Sequence, residues 1–164
     1  MARIVGVVNS TPLIALSLIG QLDLLHALFD EILIPASVYE EVVLHGRGRP
    51  GAREIAQAEW LVVRNPETVS PFPPELLGLD LGELDVILLA QEVKADWVLI
   101  DEKLARKTAR AMGLQIKGTL GVLLLAHRVG IISREDGLAA VRELALSSVR
   151  LSAKLVRWFE TQVE

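Results

Sequence analysis

Short apolar runs alternate with longer helical patterns along the chain. The runs that predict strands are Ile4–Val8, Ile32–Ile34, Leu61–Val63, Trp97–Ile100 and Leu114–Ile116. Brief apolar runs of this kind indicate strands that are buried on both faces. Strands that alternate with helices are typical of a parallel sheet with helices on either side. We therefore predict a three-layer α/β/α sandwich with a central parallel sheet of four to five strands and Ile4–Val8 at its centre.

Helical spacing and capping signals place helices between and after these strands. The predicted helices cover residues 12–19, 22–28, 37–44, 52–58, 82–94, 103–112, 118–129, 134–146 and 153–159, with Thr11, Asp80, Ser133 and Ser152 as N-caps. Residues 65–78 hold four of the seven prolines, which predicts a loop. That loop is too short to separate two domains. We expect a single domain over 1–164, in which 132–164 form terminal helices.

Composition narrows the class of protein. Half of the residues (51%) are hydrophobic, so the chain can build a core, and no apolar run reaches the roughly 18 residues of a membrane span. Cysteine is absent, which excludes disulfides and thiolate metal sites and favours the cytoplasm. A net charge of −4 does not indicate a nucleic-acid-binding protein, so any such role depends on a local basic patch.

Acidic or amide side chains occur where strands end, or on the helices that follow. Asn9 and Asp101 follow strands directly, whereas Glu41 and Glu83 lie on helices in apolar surroundings. Strand ends of a parallel sheet converge on one crevice, so we expect these four side chains to meet there. Clustered carboxylates repel one another unless a cation joins them, and oxygen ligands suit Mg²⁺ or Mn²⁺.

Two of these acids also have a purely structural explanation. Glu83 is in the first turn of its helix, where the helix dipole favours a negative charge. Asp101 is placed to cap the helix that begins near Lys103. Only the recurrence of acids at equivalent ends of separate α/β units favours a shared site.

Two groups of basic residues are candidates for binding phosphates. Residues spaced i, i+3, i+4 and i+7 on one helix form what we call the cationic stripe: Lys103, Arg106, Lys107 and Arg110. A second group, Arg47, Arg49 and Arg53, lies on and just after a Gly/Pro-rich loop. The alternative for both groups is a solvated surface.

Several segments in this order resemble a PIN domain: NSTPLIALSLIGQLDLL, ILIPASVYEEVV and LDLGELDVILLAQEVKADWVLIDEKLARKTARAMGLQIKGTLGVLLLAHRVGII. The resemblance covers about residues 4–132 and is greatest to the prokaryotic branch related to VapC-type toxins, which opens with D-[ST]-[ST]-P-L-I. It implies a metal-dependent nuclease. Glu41, Glu83 and Asp101 match three acidic positions of the family, and Asn9 stands where its first Asp stands. Glu102 is a candidate for part of the missing charge.

The resemblance thus implies a Mg²⁺- or Mn²⁺-dependent ribonuclease with Glu41, Glu83 and Asp101 as catalytic residues and Asn9 as a further metal ligand. We expect RNA as substrate, an antitoxin protein and a second copy of the chain as partners, and no membrane contact. Asn9 cannot supply a charge, which favours an alternative: a non-catalytic PIN-fold module that binds RNA or protein. A receiver-like signalling domain would need an Asp after the third strand, where Asn65 stands.

Overall fold

Five short parallel strands form the sheet. The computed structural model describes residues 2–67, 76, 78–149 and 151–164. The strands are β1 (Val5–Val8), β2 (Glu31–Ile34), β3 (Leu61–Val63), β4 (Trp97–Leu99) and β5 (Ile116–Lys117). Each overlaps a predicted strand, because three to five mostly apolar residues between polar or turn-forming residues suit a doubly covered strand.

Helices connect the strands and continue after the last one. They are α1 (Ser10–Leu18), α2 (Asp23–Leu28), α3 (Ala36–Tyr39), α4 (Ala52–Gln57), α5 (Leu81–Val93), α6 (Lys103–Ala111), α7 (Thr119–Arg128), α8 (Arg134–Ala145) and α9 (Ala153–Gln162). Helix α3 continues directly into a π-helical turn over Glu40–Leu44, here called the π turn. The predicted loop over 65–78 has residues 68–75 and 77 outside the described part of the chain.

The strand order is β3-β2-β1-β4-β5, and every pair is parallel. Val7 of β1 lies opposite Leu33 of β2 and Val98 of β4. The three-layer α/β/α prediction, with β1 at the centre, is confirmed. At this centre the strand order reverses direction. In open parallel sheets, such a reversal is where a crevice forms beyond the carboxyl ends of the strands.

The core lies on both faces of the sheet. Val7 and Val8 of β1 are fully buried, as are Ile87 and Leu89 of α5. Buried apolar side chains from strands and helices join into one cluster. In the described part of the chain, no helix combines the length and apolar character that a membrane span needs.

Three of the four predicted helix caps are confirmed. Asp80, Ser133 and Ser152 each accept a hydrogen bond from the backbone N–H three residues later. The prediction of Thr11 as an N-cap is wrong, because α1 already begins at Ser10 and Asn9 is its N-cap residue. The chain turns into the helix directly at the end of β1, and Pro12 is tolerated because the first helical N–H groups have no intrahelical partner.

Candidate active site

Asn9 occupies the central position at the carboxyl end of the sheet. It is buried, and its backbone N–H donates to the Leu99 carbonyl of β4 at 3.0 Å. A Cβ added to Gly82, near the start of α5, would lie 3.7 Å from Asn9 Oδ1. The amide oxygen therefore faces the N-terminus of α5, and the glycine leaves that approach open.

Glu83 closes a capping box at the start of α5. Its backbone N–H donates to Asp80 Oδ1 at 2.8 Å, and its Oε1 accepts from the Asp80 N–H at 3.1 Å. Two N–H groups that the helix leaves unpaired are thereby satisfied. The structural explanation for this glutamate is confirmed, and any chemical role would come in addition to it.

Glu83 also lies among other negative charges. Burial raises the pKa of its carboxyl above the ordinary value of 4.5, the hydrogen bond to the Asp80 backbone opposes that rise, and the like charges of Asp80, Glu102 and Glu41 add to it. We call Glu41, Asp80, Glu83 and Glu102 the acidic cluster. Its members come from three separate segments of the chain. The sequence predicted only a capping role for Asp80 and only a substitute charge for Glu102.

Asp101 does not cap the helix that follows it. The N-cap residue of α6 is Glu102, whose side chain makes no capping hydrogen bond. Asp101 turns instead to α7, where Oδ1 accepts from the Thr119 N–H at 2.8 Å and Oδ2 from Thr119 Oγ1 at 2.6 Å. Both carboxylate oxygens are held by one residue, which fixes the orientation of Asp101. The capping explanation for Asp101 is wrong.

Thr119 is the site residue that sequence reasoning missed. A signal was present, since Thr119 opens the helix after β5 much as Asp101 follows β4. The glycine before it is also required: a Cβ on Gly118 would lie 2.7 Å from Asp101 Oδ1 and 2.6 Å from Arg106 Nη1. The side chains of Asp101 and Arg106 therefore converge on the backbone at residue 118.

Glu41 lies on the π turn, not on a continuous α-helix. The helix predicted over 37–44 changes after Tyr39, where the His45 N–H donates to the Glu40 carbonyl at 2.8 Å. Glu40 and Glu41 are both exposed. Single π turns in helices frequently occur at functional sites, and this one sets the direction of Glu41. On the same flank, Asn65 Oδ1 accepts from the Ala36 N–H at the start of α3.

Arg106 differs from the other three residues of the cationic stripe in its burial and its contacts. Lys103, Lys107 and Arg110 are exposed. Arg106 is half-buried and donates from Nη1 to the Ile100 carbonyl at 3.2 Å. Burial lowers the pKa of Arg106, the charge of Arg110 lowers it further, and Asp101 opposes both. The described residues place no carboxylate within 4 Å of any of the four, so three of them present free charge to solvent.

The donor chemistry at this end of the sheet suits a hard divalent ion, because all candidate ligands are carboxylate or amide oxygens. Their arrangement is less complete. Among the described residues, no three Asp, Glu or His side chains are placed together so as to hold a metal. Glu83 and Asp101 are engaged in hydrogen bonds, whereas Glu41 and Glu102 are exposed and have room to turn. The four predicted ligands Asn9, Glu41, Glu83 and Asp101 therefore stay a prediction.

A family model described as PIN domain matches residues 5–164. The chain belongs to the PIN domain family. A comparison with curated proteins gave no match. The family is that of the resemblance noted from the sequence, and the match extends through the terminal helices α8 and α9. Membership implies a nuclease-type fold, whereas the relation to VapC-type toxins and the antitoxin partner stay predictions.

Proposed function

We propose that this PIN domain is a ribonuclease that hydrolyses RNA phosphodiester bonds with a bound Mg²⁺ or Mn²⁺ ion. The observation that supports it most is the acidic cluster. Glu83 is partly buried beside three exposed carboxylates, and burial first and then their like charges raise its pKa. Such arrangements are common at functional sites, where a specific ligand relieves the repulsion.

Glu41, Glu83 and Asp101 would hold the ion, with the Asn9 amide oxygen as a neutral ligand and Glu102 as a further source of charge. When bound, the ion lowers the pKa of a water molecule and stabilises charge on the phosphate. Thr119 keeps Asp101 in one orientation, which reduces the entropy lost on forming the site. The cationic stripe would bind phosphates of the RNA beside the acids, without selecting a base sequence.

A second candidate is a PIN-fold module that binds RNA or protein without cutting it. Two observations favour it. The central residue is Asn9, which cannot contribute a charge, and Glu83 and Asp101 already satisfy backbone or hydroxyl donors. The two candidates differ in one property, which is metal-dependent cleavage.

Cleavage of structured RNA with Mn²⁺ and with EDTA tests the proposal. The matched pair is Glu41→Gln against Glu40→Gln, since both glutamates are exposed on the π turn and are adjacent in the chain. Adjacent helical residues project in different directions around the helix axis. We expect Mn²⁺-dependent cleavage that is lost in Glu41→Gln and retained in Glu40→Gln. RNA binding without any cleavage would favour the non-catalytic module, and equal cleavage by both variants would exclude Glu41 from the site.

A further inference from the structure

The loop at residues 46–51 has the sequence Gly-Arg-Gly-Arg-Pro-Gly. Each of its three glycines stands where another residue would clash, be strained or be tightly packed. A Cβ on Gly46 would clash with the Val42 carbonyl oxygen. Gly48 and Gly51 have φ angles of +77° and +95°, which glycine adopts without strain. Gly51 also packs against Ile14 and Val42, where a Cβ would lie 3.4 Å from each side chain. This loop, here called the arginine loop, therefore carries Arg47 and Arg49 between positions that glycine fills without strain.

The arginine loop follows Glu41, one residue of the acidic cluster, closely along the chain. The Glu41 carbonyl oxygen would lie 3.1 Å from a Cβ on Gly46, so the loop starts one turn after Glu41. Glu41 follows β2, whereas the cationic stripe follows β4, and β1 separates these two strands. The two basic elements thus belong to chain segments on opposite sides of β1, the strand that Asn9 follows.

Arg47 and Arg49 have free charge. Both are exposed, and within the described residues neither has a carboxylate within 4 Å. Two guanidinium groups two residues apart suit the oxygens of a phosphate chain, which they can contact bidentately.

We propose that the arginine loop is a second phosphate-binding element, so that an RNA strand crosses the acidic cluster from the cationic stripe to Arg47 and Arg49. This inference rests on the proposed RNA substrate but not on catalysis. An RNA strand that is bound on both sides of the acidic cluster would pass through the site without ending there. The arrangement therefore fits an internal segment of single-stranded RNA.

Binding of an oligouridylate to the full chain, measured by fluorescence anisotropy in EDTA over a KCl series, tests the loop apart from cleavage. An oligomer of about ten nucleotides is within the usual site size of single-strand-binding proteins. Each phosphate contact contributes about 0.7 to the slope of log affinity against log salt for a single strand. Arg47→Gln with Arg49→Gln should therefore reduce that slope by about 1.4 and weaken binding at low salt.

The matched control is Arg134→Gln with Arg157→Gln, which removes two exposed arginines from the terminal helices α8 and α9. The proposal is supported if the loop variant loses slope and the control does not. Equal losses in both variants would reduce the effect to net charge and overturn the proposal, as would an unchanged slope in the loop variant. If the unmodified protein binds no RNA at all, the RNA substrate itself is refuted, and the loop proposal with it.

Discussion

The two ends of the sheet use acidic residues in different ways. At the amino end, Asp30 Oδ2 accepts from the Ile4 N–H at 2.6 Å, and Asp96 Oδ2 accepts from the Val5 N–H at 2.7 Å. Each of these acids precedes a strand next to β1 and pairs with the backbone at its start. Their roles are complete within the fold, because each charge meets a donor that would otherwise be unpaired.

At the carboxyl end, acids from separate segments meet one another. Burial raises the pKa of Glu83, and the charges of Asp80, Glu102 and Glu41 raise it further. An arrangement that lowers the stability of the fold is expected where a ligand compensates for it. Asp30 and Asp96 meet backbone donors, whereas Glu83 accepts from a backbone donor and also lies among other carboxylates. The charge of neighbouring acids, and not the presence of a backbone donor, distinguishes the two ends.

The largest expected effect separates the two ends by activity. Asp101→Asn should reduce metal-dependent cleavage at least about a hundredfold, since even residues behind metal ligands cost 10–100-fold when changed. Asp96→Asn makes the same chemical change at the amino end and should leave cleavage per folded molecule intact. Single-turnover rates, corrected for the folded fraction, measure both. A similar loss in both variants would remove the distinction between the ends.

Divalent metal should stabilise the protein through the carboxyl end alone. At about 100 times its dissociation constant, a ligand of the folded state adds roughly 2.7 kcal/mol. For a chain of this size that corresponds to a rise in Tm of about 5–10 °C. Thermal melts with Mn²⁺ and with EDTA test it. The shift should persist in Asp96→Asn and shrink in Asp101→Asn, and an absent shift at millimolar Mn²⁺ would favour the non-catalytic module.

Asn9→Asp should sharpen the contrast, since it places a charge at the centre of the carboxyl end. Metal affinity and cleavage should rise, because both depend on the charge of the ligand set. Without metal the same change should destabilise the protein by about 1–3 kcal/mol, because it adds like charge at a buried position. Melts of the variant with and without Mn²⁺ should therefore shift in opposite directions. If neither metal affinity nor cleavage rises, Asn9 lies outside any metal site.

The smallest effect concerns pH. The pKa of Glu83 is raised in the folded state, so its contribution to stability is fully present below the ordinary value of 4.5 and is lost as the pH rises through the folded value. Glu83→Gln keeps an acceptor for the capping box and removes the charge. In EDTA at neutral pH this variant should melt higher than the unmodified protein, and the advantage should vanish below pH 4.5.

Glu135→Gln is the control for that experiment. Glu135 is exposed in the first turn of α8, where the helix dipole favours its charge. The same substitution there should leave stability unchanged or slightly lower at neutral pH. An equal gain in both variants would indicate an effect of net charge and would contradict repulsion within the acidic cluster.

The strands and most of the helix caps of this protein could be predicted from the sequence alone. Each predicted strand overlaps an observed one, and Asp80, Ser133 and Ser152 cap the helices that follow them. These features depend on neighbours within a few residues, so apolar runs and capping residues are sufficient to predict them. The family and the α/β/α class follow from the order of the same elements.

Which acids meet could not be predicted from the sequence. Asp30, Asp96 and Asp101 all border apolar strands in the sequence, yet the first two pair with the backbone of β1 and the third with Thr119. The π turn that carries Glu41 could not be predicted from the sequence either, because its residues have the pattern of an ordinary α-helix. Partners of a side chain across a sheet depend on strand order and on the direction of each helix, and both arise from packing between segments distant in the chain.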